Sequence, residues 1–393
     1  EYFFDADVQI EDEFLKKMLA QNTSSKMKTI VETIQKDQDV VIRDMEYDLM
    51  MVQGAAGSGK TSIALHRAAY LMYQGLSSSL SANNIIVISP NPIFEQYISN
   101  VLPELGEKNV MSVVFDEMLS DILHSGQIQT KNQYLEIMMT NPRYEKVMKD
   151  SLRFKTSPEF LQILDRFIEA LPYHGISFKD LYFGDQCIVR KEELNKIVLK
   201  GRKTTSLGFR LQKAAEFALN VAKAYYKDHD GESEYLSIRE EIQRLTELDL
   251  PYLYTKLFGD ESYFDQLAKN IELPCDLTDI LKFTQENLNS SMFYYDDATA
   301  AAWLKLKIYG SDKYRGIRQV VVDEAQDYNP IHYEILKLLF PDAKYTILGD
   351  MNQTLEKKED LSLYDCIDKI LNKKKSTLVT MDKSYRSTNQ ILI

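Results

Sequence analysis

Residues 54–61 read GAAGSGKT, the G-x-x-x-x-G-K-[ST] spacing of a phosphate-binding loop, and about 260 residues later residues 320–327 read VVVDEAQD. Each motif follows an apolar run that glycines or carboxylates cut short, which favours a strand over a helix. No other feature constrains the fold as strongly. A strand–loop–helix unit and a second buried strand ending in carboxylates imply a parallel sheet whose strand ends meet a nucleoside triphosphate. Gly54, Gly57 and Gly59 let the loop backbone turn sharply and aim successive N–H groups at phosphate oxygens, with Ala55, Ala56, Ser58 and Ser62 completing the cradle. Lys60 supplies a point charge for the β- and γ-phosphates, and the Thr61 hydroxyl is a natural Mg²⁺ ligand. Asp323 is the second Mg²⁺ partner, and Glu324 is placed to orient or deprotonate an attacking water. ATP and Mg²⁺ are therefore the expected cofactors, and nucleotide hydrolysis the expected reaction.

The pattern around these motifs alternates strand and helix. The helix after the loop, residues 61–73, is apolar nearly all round, so it should be sandwiched. Residues 84–89 (NIIVIS) form a strand, and Pro90 and Pro92 open a helix through Phe94, Tyr97, Ile98 and Val101. Residues 109–115 form another strand, with a helix from Asp116. After the second motif come a helix (331–340), a strand (345–348), a helix (361–371) and a strand (376–380). Such alternation predicts an α/β fold, a parallel sheet with helices on both faces. Between residues 125 and 309 it stops. That stretch is polar, helical in period and broken by Pro142, Pro158, Pro172, Pro251 and Pro274. The expected organisation is the tail of a preceding region (1–25), a motor domain in two parts (26–124 and 310–393) and an inserted, mostly helical domain (125–309).

Charge narrows the partners. The 393-residue chain carries a formal charge of −12, which argues against a general nucleic-acid-coating protein. The distribution is uneven. Residues 190–213 hold eight basic and two acidic side chains, a net of +6, whereas residues 231–300 hold five basic and fifteen acidic, a net of −10. Both readings stay open, solvated helix faces or contact surfaces. The pairs Tyr252/Tyr254 and Phe293-Tyr294-Tyr295 are core or base-stacking platforms. Three scattered cysteines and five scattered histidines suggest neither a disulfide framework nor a zinc site. No run reaches the ~18 apolar residues of a membrane span, so a cytoplasmic protein without a membrane partner is expected, and a monomer. The chain begins at Glu1 without Met and stops inside an apolar pattern, so a longer parent protein is expected.

Three further elements complete an ordered set. Residues 347–353 (ILGDMNQ) end a strand in a polar turn whose Gln353 can reach a γ-phosphate. In residues 384–388 (SYRST), Arg386 is a candidate arginine finger and Tyr385 a stacking face for adenine. Upstream, Gln38 is either a surface helix residue or a partner for the adenine edge. A Gln about twenty residues before the lysine, then GAAGSGKT, DEAQD, GDxxQ and YRS, resembles the superfamily 1 helicases of the UvrD/Rep/PcrA group. That resemblance implies a first RecA-like motor domain carrying an inserted helical domain, with a second motor domain following.

The departures from that group are specific. Where its DNA-tracking members touch single-stranded DNA with a TFTNKAA-like segment, this chain has Ser89-Pro90-Asn91-Pro92. Where they stack bases after GDxxQ, it has Thr354-Leu355-Glu356-Lys357-Lys358, without an aromatic residue; Val114-Phe115-Asp116 replaces their usual TFH. In these respects, and in the runs TIQKDQDVVIR, VQGAAGSGKTSIALHRAAYL and ISPNPIFEQYISNVLPELGE, the chain resembles the HelD family of bacterial RNA polymerase-associated, helicase-like ATPases. This second resemblance implies RNA polymerase core as a partner, an N-terminal arm for the secondary channel, and an insert that reaches the main channel and helps expel nucleic acid. A DNA helicase of repair or recombination is the alternative expectation.

Overall fold

The computed structural model describes residues 36–55, 58–78, 80–90, 109–124, 128–201, 205–229, 232–289, 293–350 and 362–381. They divide into two compact units. The first comprises the described residues up to Met118, Tyr314–Asn329 and those from Phe340 onward; the second is Leu119–Lys313 with Pro330–Leu339.

Eight strands occur among the described residues: β1 Leu49–Gly54, β2 Ile85–Ser89, β3 Met111–Val114, β4 Leu181–Phe183, β5 Gln186–Val189, β6 Gln319–Val322, β7 Lys344–Gly349 and β8 Ser376–Met381. The first unit is built on a six-stranded sheet in the order β3-β2-β6-β7-β1-β8, every neighbouring pair parallel. The chain is thus an α/β protein of the expected RecA-like kind, and each sheet strand falls within a residue or two of its sequence-predicted place. The reason is physical: β1, β2 and β6 are buried at every position, so they read as unbroken apolar runs, as strands covered on both faces must. At the edge, β8 instead alternates exposed and half-buried residues. Register sets the strand ends level, with Gln53 opposite Gly349, Ile88 opposite Val322, and Val322 opposite Ile347.

The helix Lys60–Ser78 leaves β1 through the phosphate loop and buries Ile63, Ala64, Leu65, Ala68 and Leu71, as its all-round apolar sequence predicts. A buried arginine ties it to its surroundings. Arg67 donates from Nη1 to the carbonyls of Val41 (2.6 Å) and Asp44 (2.7 Å), and from Nε to Thr346 Oγ1 of β7 (2.9 Å). The helix Lys36–Arg43 is thereby held against the sheet by hydrogen bonds to its last-turn carbonyls, the groups a helix C-terminus leaves unpaired. Burial lowers the Arg67 guanidinium to about 10, which leaves it cationic at neutral pH.

The second unit is mostly helical, and its helix starts follow local capping chemistry. Thr130 and Gln133 form a reciprocal capping box, and Ser157 caps a helix opened by Pro158; Asp249 and Asp260 cap two more. One element departs from the helical expectation. β4 and β5 form an antiparallel hairpin around Gly184-Asp185, with Gly184 at φ +57°. A glycine–aspartate pair between short aromatic and β-branched runs is a hairpin signal, but four-residue strands are easily lost beside long helices. Tyr254 and Tyr295 are fully buried, with Tyr254 packing on Phe293 at 5.9 Å and Tyr295 on Tyr134 at 6.4 Å, so these aromatics are core; Tyr252, by contrast, is exposed beside Lys256. Within the basic stretch, Arg210 is also buried and donates to the Val198 carbonyl. The helix Pro330–Leu339 joins this unit although it lies between β6 and β7 in sequence, and His332 Nε2 meets the Tyr295 hydroxyl at 2.8 Å. No helix among the described residues is long and apolar enough to cross a membrane.

Candidate nucleotide-binding site

The site forms where β1, β6 and β7 end. β7 lies between the other two, so the loop after β1, the carboxylates after β6 and the turn after β7 converge at the carboxyl edge of the sheet, where open α/β sheets place ligands.

The loop's glycines are required by space as well as by conformation. A Cβ on Gly54 would lie 2.4 Å from Ser58 Oγ and 3.2 Å from Lys60 Cγ. Gly59 has φ +83°, and a Cβ there would meet Gln38 Nε2 at 2.9 Å. Lys60 begins the helix and folds back over the loop, donating to the carbonyls of Gly54 (2.8 Å) and Ala55 (3.1 Å), with Asp350 Oδ2 at 3.8 Å. The Lys60 side chain is 8 % exposed. The Ala55 carbonyl also accepts the Ser58 N–H at 3.0 Å, while Ser58 Oγ is buried with no hydrogen-bond partner among the described residues. Ser62 turns along the helix, its hydroxyl 3.3 Å from His66 Nδ1. Burial lowers the His66 pKa, so the ring is neutral.

Asp323 follows β6 and is 2 % exposed. Its Oδ2 accepts the Thr61 hydroxyl at 2.8 Å, and its Oδ1 accepts the Glu324 N–H at 3.0 Å. Burial, and then the neighbouring Glu324 charge, push its carboxyl up to about 6 against the hydrogen bonds that favour the anion. Glu324 is in the left-handed region, φ 50° and ψ 54°, uncommon for a residue with a side chain. That conformation leads into the short helical turn Ala325–Asp327, and the two neighbouring carboxylates meet different partners, Asp323 the Thr61 hydroxyl and Glu324 the Gln326 amide.

These observations fit a phosphate chain with a hard divalent cation. The hydroxyl–carboxylate pair Thr61–Asp323 is an all-oxygen donor set. The glycine backbone closes down where a side chain would intrude, and Ser58 Oγ is a buried polar atom with no hydrogen-bond partner among the described residues. Among the described residues, Lys60 has carbonyls and a distant carboxylate to exchange for phosphate oxygens.

Of the residues singled out by sequence, the structure brings together Gly54, Ala55, Ser58, Gly59, Lys60, Thr61, Asp323 and Glu324. Gln38 lies against the loop, 6 % exposed, and donates from Nε2 to the Ser58 carbonyl at 2.9 Å, so it braces the loop from behind. Ala56, Gly57, Gln353, Tyr385 and Arg386 lie outside the described residues, as do Asn91, Pro92 and residues 354–358. Two site residues went unassigned in the sequence. Asp350, 1 % exposed, faces Lys60, and Gln326 donates to Glu324 Oε2 at 2.7 Å. Both sit inside motifs already recognised, as the Asp of GDMNQ and the Gln of DEAQD, which was the available signal. Behind the site, the buried Tyr364 hydroxyl donates to Gln53 Oε1 at 2.9 Å.

Comparison with known proteins agrees with this geometry. The family model for the UvrD/REP helicase N-terminal domain matches residues 34–355, a span that takes in the loop, the inserted unit and the carboxylate motif. No curated protein matches the chain.

Proposed function

The chain belongs to the UvrD/REP helicase family of superfamily 1, and from that premise we propose that it is an ATP-binding and hydrolysing motor that binds RNA polymerase and helps release it from nucleic acid. The observation that carries the ATPase half is the 2.8 Å contact between Thr61 and Asp323, two residues 262 positions apart, beside a lysine poised over a glycine loop.

Bound Mg²⁺–ATP would supply the phosphoryl group passed to water and the cation that draws charge off it. The chain's own groups divide the remaining work. Thr61 and Asp323 would hold the cation, and Lys60 would leave the Gly54 and Ala55 carbonyls to neutralise phosphate oxygens. Glu324, held by the Gln326 amide beside the Thr61–Asp323 pair, orients the water and takes its proton. Gln353 and Arg386 are the proposed γ-phosphate sensor and arginine finger, with Tyr385 stacking on adenine.

The polymerase half rests on sequence. The Ser89-Pro90-Asn91-Pro92 segment and the run that follows it replace a DNA-contacting element, and no aromatic residue occurs in residues 354–358 to stack a base. The family match favours a second reading equally, a DNA-tracking helicase of repair or recombination. ATP hydrolysis by the full-length protein with and without single-stranded DNA separates the two, measured beside capture of polymerase subunits. Weak stimulation together with captured polymerase supports the first. Strong stimulation without polymerase replaces it with the second.

A further inference from the structure

We propose that Gln326 is a positioning residue that couples the turn after β7 to the Glu324 carboxylate, so that the lysine side and the water side of the site move as one. The proposal rests on the reading of Glu324 as the group that orients water. Gln326 spans two strand ends with one side-chain amide: Nε2 donates to Glu324 Oε2 at 2.7 Å, and Oε1 accepts the Asp350 N–H at 2.8 Å. The two halves of the amide are not interchangeable. Rotated by 180°, the amide would set its oxygen against a carboxylate and its NH₂ against an N–H, so both bonds would be lost.

The neighbours leave that amide little freedom. A Cβ on Gly349 would meet Ala325 Cβ at 2.9 Å, the Tyr364 hydroxyl at 3.0 Å and Gln326 Oε1 at 3.2 Å, so β7 approaches the turn as closely as a glycine permits. On the other side of the same turn, Asp350 Oδ2 faces Lys60 Nζ at 3.8 Å. A continuous path therefore runs Lys60–Asp350–Gln326–Glu324. When Lys60 shifts toward phosphate its pull on Asp350 changes, and Asp350 is bonded to the amide that holds Glu324. The charge-assisted bond from Gln326 holds the Glu324 carboxylate in one direction.

The test uses the full-length protein with Gln326→Met, which keeps length and removes both bonds, and Gln326→Glu, which keeps an acceptor for the Asp350 N–H but sets an anion against Glu324. Both should lower kcat for ATP hydrolysis about tenfold or more, the scale of losing a hydrogen bond to a charged group, with nucleotide Kd unchanged and a modest fall in melting temperature from the lost hydrogen bonds. In a Glu324→Gln background, Gln326→Met should add nothing, because the group it positions is gone. Parent-like turnover in Gln326→Glu, or independent losses in the double variant, would overturn the proposal. So would a kcat loss matched by an equal loss of nucleotide affinity, the signature of a strut that holds the whole site. If the unaltered protein hydrolyses no ATP, the ATPase reading itself fails, a result distinct from an active parent with indifferent Gln326 variants.

Discussion

Two buried aspartates, one in each unit, are pushed up to about the same value and do different work. In the first unit Asp323 is pushed up to about 6 by burial beside the Glu324 charge. In the second, Asp297 is also pushed up to about 6, by burial and by Asp296 against the opposing pull of Lys155. The surroundings diverge from there. Asp296, Asp297 and Lys155 are wholly buried; Lys155 Nζ lies 2.6 Å from Asp297 Oδ1 and 3.1 Å from Asp296 Oδ2. Ser151 donates to Asp296 Oδ2 at 2.6 Å and Tyr254 to Asp297 Oδ1 at 2.8 Å. Burial opposes the charge on Lys155, and the two carboxylates outweigh it, holding its pKa above the ordinary value. In this cluster the cation is closed in by two anions, while Asp296 Oδ1 and Asp297 Oδ2 are buried with no hydrogen-bond partner among the described residues. The loop site has a cation engaged by carbonyls and a far carboxylate, and a hydroxyl–carboxylate pair at the rim of a glycine loop. A raised carboxylate pKa is thus no marker of a reactive site by itself; what distinguishes the two is whether the neighbouring lysine is engaged by carboxylates or by carbonyls.

The largest expected difference between the regions comes from removing each lysine. Lys60→Ala should abolish ATP binding and hydrolysis in the full-length protein and leave its melting temperature nearly unchanged, because only carbonyls and Asp350 lose a partner. Nucleotide titration beside a thermal melt checks this; parent-like affinity would remove Lys60 from the site. Lys155→Met should do the reverse. Stranding two buried carboxylates costs on the order of 3–5 kcal/mol of stability, while nucleotide affinity at the fully folded temperature stays the same. Urea unfolding measures the loss, and neutralising Asp296 and Asp297 to Asn in the same chain should restore part of it. Unchanged stability in Lys155→Met would mean that the cluster is not closed as described.

A smaller effect separates the two carboxylates after β6. Glu324→Gln should bind ATP as the parent does and hydrolyse it at least ~10²-fold more slowly, the scale of a lost general base. Equal single-turnover rates would assign the water to another group. The smallest effect is in pH. The folded-state pKa of Asp297 lies above the ordinary carboxylate value, so the folded chain holds that proton more tightly than the unfolded one. Its contribution is complete below about pH 4 and fades as pH rises through about 6. Asp297→Asn should flatten that part of the stability profile and leave the part due to Asp323. Urea midpoints for parent and variant between pH 4 and 7 provide the comparison, and parallel curves would rule the assignment out.

Much of the first unit was legible in the sequence because its information is local. A strand buried on both faces must be apolar throughout, so β1, β2, β6 and β7 announced themselves. The glycines of the loop are required by the loop's own backbone, and the VVVDE sequence carries both the strand and the carboxylates it delivers. The hairpin β4–β5 was missed because its strands are short and its alternation covers too few residues to stand out.

What only the tertiary structure decided concerns residues whose role depends on a neighbour far along the chain. From sequence, Gln38 was a surface glutamine or an adenine partner, and in the fold its amide braces the Ser58 carbonyl. Gln326 is an unremarked letter in DEAQD until β7 brings the Asp350 N–H to its oxygen. Lys155 reads as one more helical lysine until the helix Tyr295–Tyr309 sets two aspartates against it, 141 and 142 positions on. Periodicity and spacing report the covalent neighbours of a residue and the face it occupies. They carry no record of which face of another element will meet it, because that is set by how strands and helices from distant segments pack. Hence the sequence determined the kind of sheet, the phosphate loop and the chemistry of its lysine, hydroxyl and carboxylates. Packing decided which buried charges were closed into a structural cluster and which were left able to meet a ligand.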